Sequence, residues 1–264
     1  MDGNKFRAVL LIVVSAILIP VIYSLYGNIY AGAAAIIAIA AIAVFIILVV
    51  KKPKTDDEKK KSDVCSDINS IALKARGKNY VITSGSGFNL EENLQKGLMS
   101  YVENGVWCIE DNGEKGDAPI EICVPDGFVP QKLSVSAEDG NVMIKIPSVR
   151  KLELKIQGGN AEIYDLKVYS MNIDAGKGSV RAAVKLFGSS EFNCGSGSIY
   201  ANIDSDMQNF NFNAETGMGS IKINDEEFNS GRRSGTVDNN SDNVIITRCG
   251  MGKIELNFKE QDIK

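Results

Sequence analysis

A chain of 264 residues with a net charge of −4 and no histidine has room for one or two domains, and it excludes histidine-based triads and Cys/His zinc sites. Its five cysteines (Cys65, Cys108, Cys123, Cys194 and Cys249) are odd in number and show no CxxC spacing, which speaks against a disulfide framework. The first 54 residues hold five Lys/Arg against one Asp, so the rest stands at −8 and nucleic acid is not an expected partner.

Residues 8–26 and 29–50 carry no charge. At 1.5 Å per residue the second run makes a helix about 33 Å long, enough to cross a bilayer core. The first run is near the minimum length, and Pro20 kinks it. Only Gly27 and Asn28 separate them, so a two-helix transmembrane hairpin is expected over residues 1–50. Lys5 and Arg7 precede it while Lys51, Lys52 and Lys54 follow, which places both ends in the cytoplasm. The competing reading is a signal peptide over residues 1–33, cleaved at Ala31-Gly32-Ala33; the long apolar stretch counts against it. Gly32, Ala34, Ala35, Ala38 and Ala41 form a small-residue surface suited to packing within the hairpin or against another membrane protein. Residues 51–67 read as a charged linker.

Residues 68–264 read as mainly β. Early strands are expected at Ser70–Ala75, Tyr80–Thr83, Leu98–Glu103, Val106–Glu110 and Ile120–Val124. Turns fall at Asn104-Gly105, Asn112-Gly113 and Pro125-Asp126-Gly127. From Leu133 a repeat appears. Gly140, Gly159, Gly178, Gly197, Gly219 and Gly252 are each followed by Asn, Ser or Lys, at spacings of 19, 19, 19, 22 and 33 residues. The positions seven, five and three before each glycine and two, four and six after it tend to be apolar, with Ser190, Thr247, Asp165 and Asp225 as polar members of the set. Examples are Leu152/Leu154/Ile156 before Gly159 and Val180/Ala182/Val184 after Gly178. In the fifth coil the preceding set is read two places early, as Phe210/Phe212/Ala214.

Alternation on both sides of a sharp turn means two half-buried strands, with glycine supplying the positive φ that such turns often need. One coil cannot stand alone, so a parallel β-solenoid of roughly 19-residue coils stacked in order is predicted.

The phrases NCGSGSIYANI, ETGMGSIKIN and CGMGKIELNF, with IEICVPDGF ahead of them, resemble a bacterial β-strand-repeat domain of unknown function often labelled "putative adhesin". The resemblance covers residues 68–258 and implies a β-solenoid without established chemistry. Two spans ahead of such a domain also look similar to membrane inhibitors of envelope-stress sensing, which restrain a sensor kinase.

No catalytic, cofactor-binding or metal-binding residue is assigned. The triplets Gly85-Ser86-Gly87, Gly195-Ser196-Gly197, Gly217-Met218-Gly219 and Gly250-Met251-Gly252 lead into strands and not helices, so they are turns and not phosphate loops. Cys194 and Cys249 share an inward column with Ile156 and Ala175 and are read as buried small hydrophobes. A candidate partner surface comprises Arg181, Tyr200 and Lys222, together with Arg232 and Arg233 in the polar excursion Asp225–Asn243. The expected function is a non-enzymatic, membrane-anchored scaffold or interaction protein of the cell envelope. The alternatives are a regulatory partner of a membrane sensor kinase and an extracellular adhesin or carbohydrate-binding protein. Expected partners are the lipid bilayer and either another membrane protein or a homo-oligomer.

Overall fold

The computed structural model describes residues 67–90, 97–113, 118–224, 226–228 and 234–259, all within the compact unit Asp63–Lys264. The predicted spans, most of the linker, Cys65, Arg232 and Arg233 lie outside the described residues. Among those described, no helix is long and apolar enough to cross a membrane.

The strands form one parallel-stacked solenoid. Its first coil is β1 (Ser70–Ala75) and β2 (Tyr80–Gly85), and its second is β5 (Val106–Asp111) and β6 (Ile120–Pro125). β7 (Lys132–Ala137) and β8 (Asn141–Lys145) make the third. β9 (Ser148–Ile156), the long β10 (Asn160–Ala175), β11 (Ser179–Leu186), β12 (Ser190–Cys194) and β13 (Ser198–Asp206) continue it. β14 (Asn211–Thr216) and β15 (Ser220–Ile223) form the seventh coil, and β18 (Val244–Cys249) and β19 (Lys253–Lys259) the eighth.

The coils do not stack in chain order. β1 lies between β5 and β7, and β2 between β6 and β8, so the second coil is outermost. At the far end β18 lies between β12 and β14, and β19 between β13 and β15, so the eighth coil is inserted inside the seventh. Short antiparallel strands account for both exchanges. β3 (Asn89–Leu90) and β4 (Leu98–Glu103) pair with the outermost β6 and β5, while β16 (Glu226–Glu227) and β17 (Ser234–Val237) pair with β15 and β14. They occupy the outer edges where the next coil would have stacked, and that coil takes the inner side. The same strands blunt edges that would otherwise recruit other chains. Asn104 and Gly105, both at positive φ, form the tight β4–β5 hairpin.

The core is a set of continuous columns. One runs Ala75–Ala137–Ile156–Ala175–Cys194–Cys249, in register across six coils. Asp111, buried, stands at its outer end and accepts from the Tyr80 hydroxyl (2.8 Å) and from the backbone N–H of Arg76 and Gly113. Burial, and then that hydrogen bond, push the Tyr80 phenol far above its ordinary range. Thr216 ends the other side, paired with Cys249. The seventh coil, the fifth counted by repeat glycines, therefore keeps the common offset of seven, five and three in register, as Phe212/Ala214/Thr216. Phe210, Phe212 and Ala214 are all buried, as read from the sequence; the register adds the half-buried Thr216, whose hydroxyl donates to the Gly219 carbonyl at 2.9 Å. Asp165 is not inward. A bulge at positive φ turns it out and Leu166 takes the buried place.

Central coils have a short third side between the two sheets. There Val149, Val168 and Leu186 point inward.

Candidate interaction surface

The repeat glycines form a ladder at one edge of the coil. After every repeat glycine but Gly140, the next residue donates its N–H to the glycine carbonyl of the adjacent turn; Asn141 donates instead to the Asn79 side chain. Ser179 donates to Gly159 (3.1 Å), Ser198 to Gly178 (3.0 Å), Lys253 to Gly197 (3.1 Å) and Ser220 to Gly252 (3.1 Å). A Cβ on Gly159, Gly197 or Gly252 would land on the carbonyl of the neighbouring turn. Only Gly140 and Gly159 of the six have positive φ. Close approach of stacked turns, more than turn conformation, is what requires glycine here.

Three of the Gly-x-Gly triplets, those beginning at Gly195, Gly217 and Gly250, are rungs of the same ladder. Met251 and Gly252 donate to Gly195, and Met218 and Gly219 donate to Gly250. Those donors are consumed, which removes the anion-cradle reading on geometric grounds.

The two inward cysteines pack under these turns. Cys194 Sγ lies where a Cβ on Gly252 would sit 2.6 Å away, and Cys249 Sγ bears the same relation to Gly219. Burial pushes the Cys194 thiol up to about 11 and raises that of Cys249. Both thiols are protonated and enclosed at neutral pH, as poor nucleophiles. Among the described residues no group of His, Cys, Asp and Glu could hold a metal ion.

The outward face of the β8–β10–β11–β13–β19–β15 sheet carries the predicted partner residues. Arg181 and Tyr200 are directly paired on neighbouring coils. Lys222 is not next to Tyr200. Because the eighth coil is inserted, Glu255 stands between them, paired with both. Lys253 binds Glu255 at 2.6 Å and its Nζ lies 5.3 Å from the Tyr200 ring centroid. Arg181 and Tyr200 line a groove of about 450 Å³ with Tyr164, Ala183, Asn202 and Asn257. Asn257 donates to Asn202 at 3.2 Å, continuing an amide ladder along the groove. Tyr164 donates to Glu162, and that hydrogen bond raises its phenol pKa. Sequence alternation missed Tyr164; the polar Asp165 in an apolar slot was the available sign of the bulge that presents it.

On the other sheet the outward charges pair across coils. Glu153 accepts from Lys132 (2.6 Å) and Lys151 (2.9 Å), and these partners, Lys132 first, hold its carboxyl below the usual range. Arg248 pairs with Glu191 two coils of sequence away but adjacent in space. Glu215 stands beside Arg248 on its other flank.

These features define a parallel β-solenoid with a glycine-turn ladder and capped ends. The Toastrack family, DUF4097, matches residues 55–257, and the chain belongs to it. Among solved structures it is similar to "a putative cell adhesion protein" from Clostridium sporogenes, at 15% identity and TM-score 0.36, over 74% of this chain and 95% of that one. It is also similar to "a putative adhesin" from Bacteroides fragilis, at 13% identity and TM-score 0.33, over 72% of this chain and 92% of that one. No curated protein matches the chain.

Proposed function

We propose that the protein is a non-enzymatic scaffold or interaction protein of the bacterial cell envelope, held in the membrane by residues 8–26 and 29–50 with its solenoid in the cytoplasm. One observation supports the interaction role most. Arg181, Tyr164 and Tyr200 wall a groove over the small residue Ala183, on strands whose ladder hydrogen bonds are already made. Recognition is then left to side chains, and arginine beside tyrosine is the composition that dominates protein interfaces. The anchoring is supported by the two uncharged runs, and the orientation by the lysines and arginine that flank them.

Purification of the tagged full chain from membranes tests the groove. A partner retained by the native chain should fall at least tenfold with Arg181→Glu and with Tyr200→Ala, while both variants keep the native unfolding midpoint. Equal recovery from all three would remove the groove as the docking site. If the retained partner is a sensor kinase, the role narrows to regulation of envelope-stress signalling. For orientation, a membrane-impermeant maleimide should leave Cys65 unlabelled on intact cells and label it after lysis. Labelling before lysis would put the domain outside.

A further inference from the structure

The short third side of the coil has a composition unlike either sheet. Its outward residues form two files: Ser148, Lys167 and Lys185, then Arg150, Tyr169 and Phe187, with Val149, Val168 and Leu186 buried between them. Tyr169 is 64% exposed and Phe187 50%. The Tyr169 ring lies beside Gly188, where a Cβ would stand 2.8 Å from the Tyr169 carbonyl and 3.0 Å from its Cε1. Lys185 Nζ lies 5.9 Å from the Phe187 centroid. The basic and aromatic residues belong to three successive coils; in the next coil the same files turn acidic, with Asp204 after Lys185 and Asp206 after Phe187. Asp165 stands at the edge beside Lys167, and Asp204 is 4.0 Å from Lys185 but closer to Lys259, at 3.3 Å, which leaves the Arg150–Lys167 end the more basic.

This is also the side on which the chain enters the solenoid. Asn69, just before β1, accepts the N–H of Gln131, and Arg150 donates to Pro130 in the adjacent coil. The residues ahead of that point include both uncharged runs and the Lys51–Lys54 cluster.

We infer that this third side lies against the anionic surface of the bilayer, with Arg150, Lys167 and Lys185 on lipid phosphates and the Tyr169 and Phe187 rings at headgroup depth. Aromatic residues partition to that depth, and each nearby cation strengthens binding to an anionic leaflet about fivefold. The occupant is a lipid surface because charge, exposed rings and the tethered side of the coil coincide. The inference rests on the membrane-anchored reading above, and the test separates the two.

Full-length chain is reconstituted in vesicles of phosphatidylglycerol and phosphatidylcholine, and resistance to alkaline carbonate extraction is measured first. Extraction of the chain would sink the anchoring alone. Then the Tyr169→Trp variant is examined with brominated lipid tails. Its added fluorescence should be quenched, whereas that of Met218→Trp, at the opposite edge of the coil, should not. Combining Arg150→Glu, Lys167→Glu and Lys185→Glu should abolish the quenching with no change in the unfolding midpoint, and high salt should weaken it. If the chain is not anchored, residues 63–264, whose core and caps are complete, are floated with the same vesicles. Affinity for phosphatidylglycerol vesicles should then drop about a hundredfold in the triple variant. Quenching or flotation that is equal on pure phosphatidylcholine, or unaltered by the triple variant, would overturn the assignment.

Discussion

At position 247 a threonine stands in a column that elsewhere holds Leu73, Val135, Leu154, Ile173 and Phe192, and its buried Oγ1 has no hydrogen-bond partner among the described residues. A buried hydroxyl without a partner costs about 1–3 kcal/mol, and valine has nearly the same shape. Thr247→Val should therefore raise stability by about 1–2 kcal/mol in urea unfolding. The glycines divide into two kinds by a similar comparison. A side chain on Gly197 would strike the backbone of Gly178, whereas Gly127, at φ +79°, has open space around it. Asparagine tolerates the left-handed region but cannot avoid a backbone collision. Gly127→Asn should be nearly neutral, and Gly197→Asn should cost about 2–3 kcal/mol or prevent folding, measured by the same unfolding experiment.

Among elements, the inserted eighth coil decides how truncation behaves. Ending the chain at Asn243 removes β18 and β19 from between β12–β13 and β14–β15, so it opens an internal gap rather than trimming an end. The expected outcome is loss of the cooperative thermal transition by circular dichroism. A transition retained near the native midpoint would mean that β14–β15 closes onto β12–β13. The glycine offsets and the strands between Ser70 and Pro125 were legible in sequence because they depend on local alternation and turn residues. Coil order was not, because coils that share one offset are all compatible as neighbours. What decides is the outer edge taken by β3, β4, β16 and β17: β4 was read from its own sequence, but the edge it takes is not a local property, and β3 and β16, of two residues each, carry little pattern. The same limit applies to the candidate surface. The Arg181–Tyr200 pairing follows from a 19-residue offset, while the separation of Lys222 by Glu255 depends on the exchange of coils.

For the molecule as a whole, stability is a sum over neighbouring coils, and a weak junction sets its limit. Cys194 and Cys249 face each other across the junction made by the inserted coil. Burial holds the Cys194 thiol at about 11 against an ordinary 9.0. The folded chain keeps that proton where the unfolded chain loses it, so the stabilisation is complete below about pH 9 and declines as pH rises towards 11. Denaturant midpoints should fall over that interval. Cys194→Ala, a residue the column already accepts at Ala137 and Ala175, should flatten the fall.

The place of β1 has a mechanical consequence. Any tension transmitted through the residues before Asp67 reaches Ser70, and from there a strand gripped on both flanks by parallel neighbours, β5 and β7. Pulling along such a strand strains the bonds on both flanks together, in shear, instead of peeling them away singly.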